Sequence, residues 1–460
     1  MASSESSGLL DVTKLIDDRG LSRFQITAVL LCGLVALLDG ADTTSIAIAA
    51  STIAGLLNFP VSAFGLVFAA GTLGAMLGAM TFGPLADRFG RKRLLIVATV
   101  LFGIFTFLIA YADSYSTLVL YRFLAGFGLG GATPCFLALV SEYVPQRVRG
   151  TVVSVLWAAF PLGIMLGGFL NSYLVVAFGW QMIFYVGGVL PLVVAALLTV
   201  MLPESLQFLI GRWGDLSQAK RILARMAPGA VHRDAVLTIA RDTLPGVPVK
   251  HLFSEGRALS TVALWVPFFA AFGVLSAVVF FTPALLRSAA GVAAGASSGA
   301  LVNAFHGLGA LLGMALAGQL IDRLGARKVL GAGLLLGAAC TAALGPSVVS
   351  IPLAATATAL IGFFVGIAGS GCIALAAIIY PPEIRATGIG WGMAMARGGQ
   401  VVAPLAAGQI IGATGDGRLM LLIMAAALLV SIIFVCLLGQ TRRAAPAAPG
   451  TGTAPNPVVS

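Results

Sequence analysis

The chain has 460 residues, of which 59% are hydrophobic and only 10% charged, and its mean hydropathy is +1.02. Water-soluble domains carry about a quarter charged residues, so a single soluble core is excluded. The net charge of +10 does not mark a nucleic-acid binder, because the basic residues cluster in the segments between apolar stretches.

Residues 1–23 mix acids and bases and lack an apolar core, so they are expected to be a short cytoplasmic segment and not a cleaved signal. Apolar stretches long enough to cross roughly 30 Å of hydrocarbon, at about 20 residues each, then recur. They fall at 24–48, 62–84, 94–112, 117–140, 150–176, 181–202, 259–284, 297–321, 328–345, 349–378, 385–412 and 419–438. The connection 203–258 is the only long polar stretch among them, and the Pro/Ala/Gly-rich tail 439–460 is expected to be disordered. The expected fold is therefore an all-α membrane protein of twelve transmembrane helices, arranged as six-helix bundles over 24–202 and 259–438.

Lys and Arg gather before span one, after spans two, four, six, eight and ten, and after span twelve, whereas the other loops offer only Arg287 and Arg418. That asymmetry places both termini in the cytoplasm. The excess of Arg over Lys, with abundant Ala and Gly, points to the inner membrane of a GC-rich bacterium. Cys32, Cys135, Cys340, Cys372 and Cys436 all fall within spans without a CxxC pair or a His/Cys cluster, so no disulfide framework, metal or cofactor is expected.

Two acids, Asp39 and Asp42, lie well inside span one. A charge at bilayer depth costs about 2.5 kcal/mol or much more, so such residues face the bundle interior and work there. Helix rise puts Asp39 roughly 22 Å across from the cytoplasmic side and Arg122 of span four about 8 Å in from the outer side, at the same level. An Asp39–Arg122 pair is expected, with Asp42 as second partner or facing substrate. The pair would act as a proton switch, or alternatively as a permanent brace.

The loop after span two reads GPLADRFGRKRLL and the loop after span eight reads GQLIDRLGARKVL, at an offset of 235; EYVPQRVRGT and YPPEIRATG match at 236. Each half is thus a repeat about an axis along the membrane normal. Gly83, Asp87, Arg91, Glu142 and Arg149 in the first half, with Asp322, Arg327 and Arg385 in the second, are the expected gate residues, some in ion pairs that break when the inner side opens. The basic cluster could otherwise serve only as a membrane anchor.

In the second half Arg397 lies ~18 Å and His306 about 12 Å deep, near the midplane. No acid of that half lies at the depth of Arg397, so a ligand carboxylate is its expected counter-ion, with a cross-cavity pair to Asp42 as the alternative. His306, Asn303, Phe305 and Trp391 are further candidate ligand contacts, although a lone His or aromatic in such a bundle commonly serves packing.

The doubled loops and the six-plus-six arrangement resemble the major facilitator superfamily. LLDGADTTSIAIAA, YRFLAGFGLGGATPCFLALVSEYVPQRVRG, LPESLQFL and YPPEIRATGIGWGMAMARGG are similar to its aromatic acid:proton symporter branch. The resemblance implies a proton-coupled importer of benzoate- or hydroxybenzoate-type acids, working as a monomer in the lipid bilayer, with protons and the acid as its partners and no nucleic acid. It also implies pairing of a span-one acid with the span-four Arg. Two departures, Ala41 where a large residue is usual and Ala50 where Pro is common, imply a different or bulkier ligand. PESLQFL also looks like a sugar-porter loop, but sugars need no buried cation. WAAFPLGIMLGGFL lacks the Gly-Pro spacing of drug exporters, and no catalytic constellation supports an enzyme.

Overall fold

The computed structural model describes residues 9–210, 216–226, 236–238, 249–254, 257–290, 296–380 and 382–438. A two-residue device starts the first long helix. Ser22 accepts from the Gln25 N–H at 3.3 Å while Gln25 Oε1 accepts from the Ser22 N–H at 2.7 Å, so two otherwise orphaned donors are satisfied. Gln25 Nε2 also donates to the Tyr143 carbonyl at 2.6 Å, tying this helix start to the end of another.

Helix α2 (Arg23–Leu56) follows a short strand β1 (Leu9–Asp11) and helix α1 (Val12–Asp17). It runs for 34 residues, past the expected end at 48, because Ser51 and Thr52 continue the spiral beyond the apolar stretch. Then come α3 (Phe64–Phe89), α4 (Arg91–Ile109), α5 (Tyr115–Tyr143), α6 (Gln146–Phe178) and α7 (Trp180–Met201). The connection carries α8 (Leu206–Phe208), α9 (Leu216–Met226) and β2 (Val236–Thr238). The second set is α10 (Ala258–Ala290), α11 (Ala296–Leu324), α12 (Ala326–Ser347), α13 (Ile351–Ile379), α14 (Pro382–Thr414) and α15 (Gly417–Leu437).

Among the described residues, eleven helices are long and apolar enough to cross a membrane. The remaining long helix, α14, has 33 residues but interrupts its apolar pattern with Arg385, Arg397 and Gln400. The protein is an all-helical membrane protein. Among the described residues, an addition to the expected all-α fold is the three-residue parallel pairing of β1 with β2, Leu9 opposite Val236.

The helix pairings repeat. In the first set α3 and α4 pack on α5, α4 on α7 and α2 on α6; in the second, α11 and α12 pack on α13, α12 on α15 and α10 on α14. Small residues make the contacts possible. Gly74 and Gly78 press against the backbone at Phe123 and Phe127, and Gly309 and Gly313, each 235 positions later, press against Ala359 and Phe363. A side chain at any of these four would collide with a carbonyl, as expected of helices packed through small residues. Gly90 and Gly325 hold φ of 105° and 86°, a region that favours glycine, and so turn α3 into α4 and α11 into α12.

The two sets meet mainly at the face opposite the termini. There Phe68 stacks on Phe280 at 4.3 Å, and Arg287 donates to Ser51 Oγ at 2.5 Å and Thr52 Oγ1 at 3.1 Å. Gly65 abuts Pro404, and Gly168 abuts Ala304. Toward the face that carries the termini, Gly83 has only Pro134 of its own set nearby and Gly318 faces open space.

Candidate functional site

Four helices build a buried ion pair. Arg122 of α5 donates through Nη1 to Asp42 Oδ2 of α2 at 2.8 Å, and each residue is only 5% exposed. Thr106 of α4 adds a hydroxyl at 3.4 Å from Asp42 Oδ1. On α3, Gly71 leaves room for the guanidinium. Arg122 Nε has no hydrogen-bond partner among the described residues, so the site holds one unused buried donor.

The expected Asp39–Arg122 pair is corrected: the partner is Asp42. The helical rise gives depth but not azimuth, and residues three apart are neighbours on one helix face, so either acid suited the depth argument. Asp39 is left without an ion-pair partner among the described residues. Arg397 donates within its own helix, from Nη1 to Gln400 Oε1 at 3.3 Å, and forms no ion pair among the described residues. With Asp42 engaged by Arg122, the alternative Arg397–Asp42 pair is not formed.

Among the described residues the second set has no matching ion pair. Counting 235 from Gly71 and 236 from Arg122 leads to His306 and Thr358, and these two residues touch: His306 Nδ1 lies 3.2 Å from the Thr358 carbonyl. The imidazole is 2% exposed and sits between α11 and α13. Asn303 is 0% exposed, donates to the Val279 carbonyl at 3.0 Å and leaves its Oδ1 without a partner among the described residues. Phe305 meets Phe169 edge-on at 6.2 Å across the two sets. Trp391 stacks on Trp265 at 6.0 Å and is 37% exposed.

Among the described residues, the terminal-face motifs hold a charge network in the first set only. Arg91 pairs with Glu142 and, at 3.1 Å, with Asp87. Ser205 Oγ donates to Glu142 Oε2 at 2.7 Å, and Glu204 Oε1 accepts from the Lys92 N–H at 3.0 Å, capping the start of α4. In the second set Ala326 and Ile378 stand at the positions of Arg91 and Glu142, so these two charges have no counterparts there. One element does repeat: Lys92 Nζ donates to Thr199 O at 2.8 Å and Arg327 Nη2 to Leu438 O at 2.9 Å, each satisfying an end of a terminal helix. Arg385 reaches its own Tyr380 carbonyl at 3.5 Å. Neither Arg149 nor Asp322 forms an ion pair among the described residues. Among the described residues, the gate ion pairs lie within the first bundle and none spans the two.

The family model of the Major Facilitator Superfamily matches residues 32–305 and 292–460. The chain belongs to the major facilitator superfamily. It is 33% identical over 405 residues to the 4-hydroxybenzoate transporter PcaK of Pseudomonas putida, covering 88% of this chain and 90% of that one. It is 32% identical over 403 residues to a gallate transporter of the same organism, covering 87% and 89%. Among solved structures, the xylose transporter XylE from E. coli, in a partially occluded inward open conformation, superposes with a TM-score of 0.70. The identity there is 20%, over 94% of this chain and 100% of the other, a likeness of fold. Membership in this superfamily makes the protein a multi-pass transporter, not an enzyme.

Within this major facilitator fold, Thr106, Gly71 and Gln400 are site residues that sequence reasoning did not find. Their only signal was position relative to residues already singled out. Ala41 takes a different part from the one its small size implied: it packs against α6, where a side chain on Gly167 would come within 2.9 Å of Ala41 Cβ. Its smallness serves close approach of α2 and α6. Gly71→Ala would put a methyl 3.2 Å from Arg122 Nη2 and 3.4 Å from Nε. Overpacking of this kind costs about 1–3 kcal/mol. Thermal unfolding and uptake should both fall for Gly71→Ala, whereas Gly33→Ala, with nothing within 4 Å, should leave both unchanged.

Proposed function

We propose that the protein imports an aromatic monocarboxylate together with protons across the bacterial cytoplasmic membrane, with the terminal face in the cytoplasm. The observation that carries this reading is Arg397, a charge in the middle of a long helix whose single hydrogen bond among the described residues is to the neutral Gln400. A carboxylate supplies the missing counter-charge, bound by the planar two-pronged guanidinium. The names of the hydroxybenzoate and gallate transporters support an aromatic ring on that carboxylate.

In the proposed cycle Asp39 takes up a proton, which removes its claim on Arg397 and leaves that cation to the substrate. The Asp42–Arg122 pair is the second switch: protonation of Asp42 frees Arg122, and re-formation expels the proton. Opening on the terminal side then releases the acid with the one or two protons taken up at Asp39 and Asp42. A monoanion with one proton is electroneutral and responds to the pH gradient alone. A further proton would make transport voltage-sensitive by ~2.3 kcal/mol per charge per 100 mV. Trp391 and Phe305 are the proposed surfaces for the ring, and His306 and Asn303 are proposed to shape the α10–α11–α13 packing around it. Asp87, Arg91, Glu142 and Ser205 are proposed to brace the first bundle as the terminal side opens and closes.

A small organic acid without a ring, or a sugar or polyol, is the second reading, since the fold also suits a xylose carrier. Competition for uptake separates them. Benzoate, 4-hydroxybenzoate and gallate should compete with one another, while benzamide, lacking the anion, and xylose should not. Competition by xylose without competition by benzoate would overturn the carboxylate assignment. Within the same assay, Asp39→Asn should abolish accumulation driven by a pH gradient yet leave substrate exchange measurable. Undiminished accumulation would remove Asp39 from proton coupling.

A further inference from the structure

A cavity of about 250 Å³ opens at the terminal face between the end of α7, the start of α4 and the amphipathic helix α9. Lys92, Arg221 and Arg225 line it, with Glu204, Phe24 and Met201. Three cations face one carboxylate, and one oxygen of that carboxylate is already occupied by the Lys92 N–H at 3.0 Å and the Ser205 N–H at 2.9 Å. Arg221 and Arg225 are exposed, lie one turn apart on α9, and form no ion pair among the described residues. The lining is therefore an anion site with charge to spare.

Its position selects the kind of anion. The cavity sits where two apolar helices end, the level at which hydrocarbon gives way to headgroups. Directly along α7 from it runs a stripe of exposed apolar side chains, Val193, Leu197 and Val200, the last 84% exposed. These recur at helical spacing on one face. A free phosphate would use the cations alone, whereas a phospholipid would use the cations and the stripe.

We propose that this cavity binds the phosphate of an anionic phospholipid of the leaflet at the terminal face, its acyl chain lying along Val193, Leu197 and Val200. The lipid would cement α9 of the central connection onto the first bundle. This inference needs only that the terminal face lie at a membrane boundary, and stands whatever the transported substrate.

Native mass spectrometry of the full chain in mild detergent tests it, with phosphatidylglycerol and phosphatidylcholine offered in equal amounts. The wild type should retain phosphatidylglycerol preferentially, and R221Q/R225Q should lose roughly thirtyfold in that preference, at about fivefold per basic residue. The control R323Q/K328Q removes the same charge from the second bundle and should retain the wild-type preference. An equal loss in the control would reduce the effect to general surface charge and overturn the site. Displacement of the lipid by glycerol 1-phosphate at equal concentration would overturn the lipid assignment in favour of a soluble phosphate.

Discussion

Asp42→Ala is expected to destabilise the protein by about 3–5 kcal/mol, because it leaves Arg122 as an uncompensated buried cation. The same holds for Arg122→Ala, which strands the Asp42 carboxylate among Thr106 and the α2 backbone. The double variant D42A/R122A should recover much of that loss, since a buried pair contributes little net stability of its own once both charges are gone. Thermal unfolding of the four proteins gives the coupling directly. Transport separates a switch from a brace. If the pair only locks α2 to α5, the refolded double variant should still accumulate substrate against a pH gradient. On the present account all three variants fail to do so.

Arg397→Ala carries the other large effect. Removing one partner of a buried, hydrogen-bonded charge pair costs about 2–5 kcal/mol, or roughly 30- to 4,000-fold in affinity. Binding of 4-hydroxybenzoate should fall by that factor, and Arg397→Lys should recover only part of it, because a point-charge ammonium does not reproduce the planar fork. Gln400→Ala should have a smaller effect of the same kind, through loss of the 3.3 Å bond that orients the guanidinium. Unchanged affinity in Arg397→Ala, measured by equilibrium binding, would remove the carboxylate from this position.

The layout of the fold was legible because hydrophobic length and loop charge are local properties. The doubled loops read as GPLADRFGRKRLL and GQLIDRLGARKVL, and the structure shows why two of their positions recur: Gly90 and Gly325 turn the chain with positive φ, and Lys92 and Arg327 both hold the final carbonyls of a neighbouring helix. Depth was legible too, since rise per residue is fixed, and it brought Arg122 to the level of the span-one acids. What depth does not contain is azimuth. That is why Asp42 and not Asp39 meets Arg122.

The rest depends on contacts between distant segments. Nothing local in PESLQFL says that Glu204 caps α4 or that Ser205 steadies Glu142. Nothing local in VNAFHGLG says that His306 occupies, in the second bundle, the place where Gly71 leaves room for Arg122 in the first. Aligned at 235 and 236, the two halves reveal the asymmetry: one bundle carries an acid–base pair at this layer, and the other fills the same layer with His306 and Thr358. The proton chemistry is thus proposed for one half and the substrate anion for the other.

Coupled flux is the most direct test of that division. Proteoliposomes loaded with a pH indicator and given 4-hydroxybenzoate outside, at equal starting pH and with voltage clamped, should acidify internally in step with uptake. Acidification should vanish in Asp39→Asn while exchange of labelled substrate persists, and both should vanish in Arg397→Ala. Uptake by the wild type without proton entry, or full acidification in Asp39→Asn, would contradict the account.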